Sequence, residues 1–156
     1  MLNGMESANI IYHSFEGPPH ATLLNDLRNL YQSLFEDADL KFFEHRLNTQ
    51  QDVLIVCGYS SSKLIGFKIG YRYDNLTFYS WVGGVNINFR KQGIATKLAM
   101  LQEEWVKTNG YQKIRTKSMN RFKPMMALNL KNGFDITKIY TNTKGQTKIV
   151  FEKHIN

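Results

Sequence analysis

Hydrophobic residues along the chain follow two different spacings, and each change of spacing marks a predicted element. Over residues 21–47, leucine and phenylalanine recur at three- and four-residue intervals, which predicts helices. The polar stretch EDAD at 36–39 is the expected break between two of them. The helical period returns over residues 91–109, and the pair Asn109-Gly110 is typical of a helix end.

Shorter runs rich in β-branched and aromatic residues predict strands. They cover residues 9–15, 52–60, 63–73, 76–89, 111–119, 134–142 and 147–155. A short helix is expected over 123–132, with Pro124 in its first turn and Gly133 at its end. This order of elements places a strand–helix–strand crossover inside a mixed sheet. The fold class is therefore α/β (α+β) with one layered core.

The length and composition fit a single packed domain. The chain has 156 residues, of which 42% are hydrophobic, 13% aromatic and 21% charged. One domain of ordinary size accounts for this length, and a disordered chain would contain fewer apolar residues. We therefore expect one domain over residues 1–156, with the polar residues 1–8 flexible.

The net charge favours anionic partners without choosing among them. Lys and Arg outnumber Asp and Glu by 20 to 13, which gives a formal charge of +7. Nucleic acid, an acidic membrane surface or a phosphorylated ligand would each suit this charge. Because the cations are spread along the chain, a solvated basic surface with no partner is an equally good interpretation.

The single cysteine, Cys57, excludes an internal disulfide framework and a multi-cysteine metal site. It lies in the apolar run DVLIVCGY, where a small buried thiol is the usual occupant. No signal-peptide pattern opens the sequence, and no apolar run reaches the roughly 18 residues that cross a bilayer. We therefore expect a cytoplasmic protein with no membrane or metal partner.

The stretch NFRKQGIATKL at 88–98 carries the strongest chemical signal. A predicted strand passes directly into a predicted helix here, so the first backbone amides of that helix should be unpaired at the positive end of its dipole. Gly93 and Ala95 leave room for a ligand, and Arg90 and Lys91 add countercharge, which suits a pyrophosphate. A plain strand-to-helix turn with solvated cations is the alternative.

Gly83 and Gly84 interrupt an aromatic and β-branched strand shortly before this turn. Glycines in such a strand indicate a bulge, or a place where another group packs directly on the backbone. Together with the anion site, they indicate a long ligand that lies along the strand and the helix start.

The segment GGVNINFRKQGIATKL resembles the strand–loop–helix segment of the GNAT acetyltransferases, which move an acetyl group from acetyl-CoA to an amine. The family's pattern is Arg or Gln, two residues, Gly, one residue, then Gly or Ala, and residues 90–95 match it. LNLKNGF at 128–134 resembles the family's later helix-to-strand element. The resemblance implies a single-domain GNAT-like fold, with a central mixed, mostly antiparallel sheet of about seven strands. It also implies helices on both faces and splayed strands at 76–89 and 111–119.

The same resemblance implies a site for coenzyme A. The residues that it assigns to this cofactor are Val85, Ile87, Arg90, Lys91, Gln92, Gly93, Ile94, Ala95, Thr96, Asn120, Lys123 and Asn129. Backbone amides from 92 to 96 would hold the pyrophosphate, while the backbone of Val85 and Ile87 would pair with the pantetheine arm like an added strand. Asn120, as a helix cap, and the cations around Lys123 would meet the adenosine 3′-phosphate. A solvated cationic loop is the alternative there.

The candidate catalytic residues depart from the ones that the family often uses. Many relatives have a tyrosine as general acid where this sequence has Asn129, which can hydrogen-bond but cannot act as an acid. Contact with the ligand and plain packing are both open for it. Some relatives have a glutamate base where this sequence has Tyr79, whose unperturbed pKa of about 10 makes it a poor base near neutrality. Glu44, on the second predicted helix, is a further candidate base, with a surface role as its alternative.

The leading hypothesis is an N-acetyltransferase, which passes the acetyl group of acetyl-CoA directly to a primary amine of a small molecule or peptide. The second hypothesis is a non-catalytic, acyl-CoA-binding regulatory or interaction module. A third, nucleic-acid binding through the basic surface, lacks a recognisable motif. We expect no nucleic-acid partner and leave a homodimer open.

Overall fold

The computed structural model describes residues 9–155, and in this part the chain forms seven strands and four helices. The strands are β1 (Ile10–Glu16), β2 (Leu54–Ser60), β3 (Lys63–Arg72), β4 (Thr77–Val85), β5 (Lys113–Met119), β6 (Asp135–Thr141) and β7 (Thr147–His154). The helices are α1 (Ala21–Leu34), α2 (Leu40–Thr49), α3 (Ile94–Thr108) and α4 (Lys123–Lys131). Every predicted strand and helix is thus present, and the prediction of flexible residues 1–8 lies outside the described residues.

The seven strands form one mixed sheet in the order β1-β2-β3-β4-β5-β7-β6. The pair β4–β5 is parallel, whereas β1–β2, β2–β3, β5–β7 and β6–β7 are antiparallel. This arrangement confirms the predicted α/β class and the mostly antiparallel sheet. Three residue pairs join β4 to β5, starting at Thr77 with Lys113 and ending at Tyr79 with Arg115. The splay of these strands beyond those pairs stays a prediction.

The chain divides into two compact units. The first contains the described part of residues 1–71 together with 82–102, and the second contains 72–81 and the described part of 103–156. Strand β4 and helix α3 each contribute residues to both units. That the whole chain is one domain stays a prediction, and each unit is described by itself.

In the first unit, helices cover both faces of β3. A Cβ added at Gly66 would lie 3.3 Å from the side chains of Ile94 and Leu98 in α3. The next residue, Phe67, points to the other face, where its ring centroid lies 6.5 Å from that of Phe43 in α2. Phe43 in turn stacks on Tyr31 of α1 at 4.3 Å. The predicted placement of helices on both faces is therefore confirmed in this unit.

The polar break between α1 and α2 ends in a helix cap. Asp39, the last residue of EDAD, accepts a 3.0 Å hydrogen bond from the amide of Phe42 through its side chain. At the start of α1, His20 accepts from the amide of Leu23 at 3.3 Å. Each side chain satisfies an amide that the helix itself leaves unpaired.

The thiol of Cys57 lies in the buried centre of β2, as its apolar context predicts. Its side chain is fully buried, and its register neighbours are His13 of β1 and Phe67 of β3. Burial raises the pKa of this thiol to about 12. At neutral pH the group is therefore protonated and is part of the core.

In the second unit, α3 packs on one face of the sheet. The ring of Phe78, which is fully buried, lies 5.6 Å from Trp105 and 5.4 Å from Tyr111. On the same face, Lys153 of β7 forms a 2.8 Å ion pair with Glu103 of α3. Helix α4 differs from α3, since none of its residues is fully buried.

We predict that Phe43→Ala destabilises the fold by about 3–5 kcal/mol, because it removes a fully buried ring and leaves a cavity between α1, α2 and β3. The matched control is Phe42→Ala on the same helix, whose ring is 43% exposed. Its contact with Arg46 should contribute less than about 1 kcal/mol. Urea unfolding at pH 7 measures both variants, and equal losses would contradict this account of the core.

Candidate active site

The chain leaves β4 through a turn that is fixed by hydrogen bonds. The strand ends at Val85, and the amide of Asn86 donates to the carbonyl oxygen of Ile65 at 2.7 Å. The side chain of Asn86 accepts from the amide of Asn88 at 2.9 Å, which caps a short 3-10 helix at Ile87–Phe89. The strand therefore ends four residues earlier than the sequence predicts, because this asparagine offers its own hydrogen bond to the turn.

Two residues with left-handed backbone then set the start of α3. Lys91 has a φ of 64° and Gly93 a φ of 79°. The first backbone hydrogen bond at this end of the helix runs from the amide of Lys97 to the carbonyl of Gly93, at 3.0 Å. The amides of residues 94–96 precede that bond, so the helix itself offers them no acceptor. They lie at the positive end of the helix dipole, as an anion site requires.

The space over this helix start is open. A Cβ added at Gly93 would meet no atom within 4 Å, so the glycine satisfies the left-handed backbone and leaves the approach free. Gln92, Ala95 and Thr96 are exposed, whereas Ile94 is 3% exposed and anchors the helix in the core. The donor groups and the clearance fit a pyrophosphate.

Arg90 has a structural role in the turn. Its Nε donates to the carbonyl oxygen of Val85 at 3.2 Å, across five residues. This bond ties the end of β4 to the loop before α3, and one side of the guanidinium is used for it. Ile87, which was expected to continue a strand, instead begins the 3-10 helix and is 71% exposed.

Gly83 and Gly84 are required by packing inside the first unit. A Cβ at Gly83 would lie 3.0 Å from the carbonyl oxygen of Phe67, and a Cβ at Gly84 would lie 2.5 Å from a methyl group of Leu34. Neither site has room for a side chain without a shift of its neighbours. The sequence indicated either a bulge or a place where another group packs directly on the backbone. The structure shows such packing at both glycines.

Lys68 lies next to Gly83 and is a residue that the sequence did not single out. It lies on β3, where a Cβ at Gly83 would come within 3.3 Å of its Cγ. The residue is partly buried, and this burial lowers the pKa of its ammonium to about 8. The available signal was that Lys68 is the one charged residue in the apolar run LIGFKIGY.

Sequence comparison decides the family. The profile of the acetyltransferase (GNAT) family matches residues 21–134, which is more than half of the chain. The chain belongs to the GNAT acetyltransferase family. It is accordingly an acyltransferase, and the resemblance seen in the sequence is confirmed. A comparison with curated protein sequences gives no significant match.

Solved structures with the same fold include several acetyltransferases. A GNAT enzyme from Elizabethkingia anophelis with acetyl-CoA bound is 20% identical to this chain. The matched region covers 94% of this chain and 98% of that enzyme, with a TM-score of 0.75. The ribosomal-protein-S18-alanine N-acetyltransferase from Escherichia coli is 16% identical, with 92% and 95% coverage and a TM-score of 0.75. Aminoglycoside 6′-acetyltransferase type Ii is 20% identical, with 94% and 97% coverage and a TM-score of 0.76. At these identities the similarity concerns the fold.

The three candidate catalytic residues of this acetyltransferase lie on three different elements. Glu44 is partly buried on α2 of the first unit. In the second unit, Tyr79 is partly buried on β4, with the Nζ of Lys117 5.7 Å from its ring centroid. Asn129 is partly buried on α4 in the same unit. Their roles in this acetyltransferase stay predictions.

The start of α4 corrects one expectation. Its N-cap residue is Phe122, which makes no side-chain capping bond, so the prediction that Asn120 caps the helix is wrong. The carbonyl oxygen of Asn120 instead accepts from the Nζ of Lys123 at 2.8 Å. Asn120 cannot reach the cap position because the amide of Phe122 first turns back to the carbonyl of Met119 at 2.9 Å. Pro124 stands in the first turn, as predicted.

Residues 9–155 contain no group of three or more His, Cys, Asp and Glu side chains that could hold a metal ion. They also contain no helix that is both long and apolar enough to span a bilayer.

We predict that the buried ammonium of Lys68 makes stability depend on pH. An unfolded lysine has a pKa of about 10.4, so between about pH 8 and pH 10.4 the unfolded chain holds a proton that the folded chain has lost. Stability from this group therefore rises with pH across that window and is lowest below pH 8, where the folded chain must bury the charge.

Lys68→Met should thus be more stable than the wild type at pH 7, and the difference should shrink towards pH 10. Urea unfolding at both pH values measures it. Lys63→Met, at an exposed position on the same strand, is the control that should show no such change. A constant difference between Lys68→Met and the wild type would contradict the shifted pKa.

Proposed function

We propose that this chain is an N-acetyltransferase that passes the acetyl group of acetyl-CoA directly to a primary amine. The observation that supports the proposal most strongly is the open start of α3. There, the amides of residues 94–96 have no intrahelical acceptor, and a Cβ at the adjacent Gly93 would meet no atom within 4 Å. The acetyl-CoA bound in the Elizabethkingia anophelis structure of the same fold adds to it.

The residues at this turn would hold the pyrophosphate through backbone and charge. Backbone donors come from residues 92–96, and the exposed cations Arg90 and Lys91 supply countercharge. Val85, at the end of β4, would contribute the strand-like contact to the pantetheine arm. Ile87 fits that role less well, because it lies in the 3-10 helix. The exposed Lys123 would meet the 3′-phosphate.

The reaction makes three demands on the chain. Bound acetyl-CoA supplies an activated acetyl thioester, in which a carbon–sulfur bond is exchanged for a carbon–nitrogen bond to the acceptor. The amine has to be neutral when it attacks, so a base must take its proton, and the departing sulfur has to gain one. Backbone amides near Gly84 and Val85 would stabilise the negative charge that develops on the carbonyl oxygen.

The side chains that would serve these demands are Glu44 and Tyr79 for the amine and Asn129 for the cofactor. Glu44 is the better base of the first two, because a carboxylate offers two oxygen atoms that accept a proton. Asn129 can only donate and accept hydrogen bonds, so we assign it the orientation of the pantetheine arm or of a water molecule. The acyl transfer would then proceed without a side-chain acid.

A second candidate function is a non-catalytic module that binds acyl-CoA. It is favoured by one specific observation, since Asn129 and Tyr79 stand where the family often has a tyrosine and a glutamate. The two functions differ in turnover. A binding module would take up acetyl-CoA and acetylate no amine in a broad panel, whereas an enzyme would release coenzyme A with at least one of them.

We predict that Gly93→Val abolishes saturable binding of acetyl-CoA, measured by calorimetric titration, because a side chain would project into the open space beside the proposed pyrophosphate site. Gly110→Val is the matched control. Gly110 lies beyond the other end of α3, has a φ of 86° against 79° for Gly93, and likewise faces open space. Both variants therefore carry the same backbone strain.

The control should keep acetyl-CoA affinity within about twofold of the wild type. Wild-type affinity in Gly93→Val would overturn the pyrophosphate assignment. An equal loss in both variants would show that strain, and not clearance, is responsible.

We also predict that Asn129→Ala lowers kcat about tenfold for any amine that the wild type acetylates, with little change in Tm, because the residue is only partly buried. Lys131→Ala, two residues further along α4 and exposed, is the control for the helix. An unchanged kcat together with a lowered Tm would make Asn129 a packing residue.

A further inference from the structure

The second unit presents a sheet face that α3 does not cover. Phe78 on β4 points towards α3, and side chains alternate along a strand, so Tyr79 points to the opposite face. The register partner of Tyr79 on β5 is Arg115. Lys113 and Lys117 lie two positions away on either side of Arg115 and therefore share this face. Three cations thus lie in a row on this face.

The strand register extends the row across β7 and β6. Val150 lies opposite both Lys117 and Lys138, and Lys148 lies opposite Tyr140. Cross-strand partners share a face, so these residues join the row from β5. We call the group formed by Tyr79, Lys117, Lys138, Tyr140 and Lys148 the cation–tyrosine surface.

Aromatic rings hold two of these ammonium groups in place. The Nζ of Lys117 lies 5.7 Å from the ring centroid of Tyr79 and 5.6 Å from that of Tyr140. The Nζ of Lys138 lies 5.3 Å from the same Tyr140 ring. Both lysines are exposed, so each charge faces water on one side and an aromatic ring on the other.

The acidic residues of this face do not neutralise these lysines. Glu152 is engaged with Arg115 at 2.9 Å and with Lys113 at 3.5 Å. Asp135 lies beside Glu152 in the register, and within the described part of the chain it forms no ion pair with Lys117 or Lys138. The surface therefore carries an excess of positive charge.

The ammonium groups of Lys117 and Lys138 both lie within 5.6 Å of the Tyr140 ring centroid, so like charges are concentrated around one ring. Their mutual repulsion makes the binding of an anionic group favourable there. The hydroxyl group of Tyr140 adds a hydrogen-bond donor for such an anion. We propose that the cation–tyrosine surface binds a carboxylate-rich segment of the amine acceptor, which is a peptide with acidic residues next to its amine. This inference rests on the proposed acetyl transfer.

The acidic residues of the acceptor belong close to its amine, because Tyr79 has two parts in this proposal. It is a member of the cation–tyrosine surface, where the Lys117 ammonium lies beside its ring, and it is also one of the side chains proposed to serve the amine. The acidic residues therefore belong within the first few positions of the acceptor, and a polycationic amine is disfavoured.

Three synthetic peptides with free amino termini test the inference, namely Ala-Glu-Glu-Glu, Ala-Gln-Gln-Gln and Ala-Lys-Lys-Lys. Acetylation in the presence of acetyl-CoA is followed by mass spectrometry, and binding of each peptide to the protein by calorimetric titration. We expect kcat/KM and affinity for the glutamate peptide to exceed those for the glutamine peptide at least tenfold, with the lysine peptide weakest. The preference should fall as salt is raised.

The variant Lys117→Ala/Lys138→Ala should lose the preference for the glutamate peptide, and Lys117→Arg/Lys138→Arg should retain it. The control Lys63→Ala/Lys131→Ala removes two exposed cations from other elements and should behave as the wild type. Equal affinity for the glutamate and glutamine peptides, or a preference that survives the alanine variant, would overturn the inference. So would tighter binding of a single-stranded oligonucleotide than of the glutamate peptide.

The failure of the proposed function is detected separately. Acetyl-CoA is titrated without any peptide, and absence of binding there would refute acetyl transfer together with the assignment of the peptide as acceptor. If acetyl-CoA binds and no peptide is acetylated, the peptide affinities decide whether the cation–tyrosine surface binds acidic peptides. A preference for the glutamate peptide that is lost in Lys117→Ala/Lys138→Ala supports that binding, and equal affinities refute it.

Discussion

The start of α3 depends on a backbone constraint. The chain arrives from β4 through a capped 3-10 helix and can enter α3 only by way of two left-handed residues, Lys91 and Gly93. A lysine tolerates this backbone at some cost, and a glycine tolerates it freely. The result is a helix start beside which a Cβ at Gly93 would meet open space, while the buried Ile94 holds the helix to the core. The proposed anion site and the proposed pyrophosphate contacts both depend on this one turn.

The hydrophobic spacing was sufficient to predict every strand and helix, because each element has a clear periodicity and a clear break. Details that depend on competing hydrogen bonds were not predictable in the same way. The strand at β4 stops where Asn86 caps the next turn, and the expected cap at Asn120 fails because the chain turns back before α4. In both places a side chain and a backbone group compete for the same donor, and only the folded geometry decides between them.

Part of the candidate site could be predicted because its residues are contiguous in the sequence. Residues 90–96 show their chemistry in one short stretch. Lys68 could have been noticed as a charge in an apolar run, but its neighbour Gly83 is distant in sequence. The cation–tyrosine surface could not be predicted from the sequence alone, since its members come from four strands and are neighbours only through the register of the sheet. The sequence also singles out Gly83 and Gly84. The contacts that require glycine there, with the backbone of Phe67 and the side chain of Leu34, are visible only in the structure.

The burial of Cys57 has a consequence for the redox behaviour of the protein. With a pKa of about 12, the thiolate fraction at pH 7 is on the order of one part in 10⁵. Only the thiolate reacts readily with peroxides and disulfides, and this sulfur also has no exposed surface. Because Cys57 is the one cysteine of the chain, the folded protein should resist thiol oxidation and should not crosslink through disulfides. In an enzyme proposed to release a free thiol at each turnover, that inertness keeps the protein from forming a mixed disulfide with its own product.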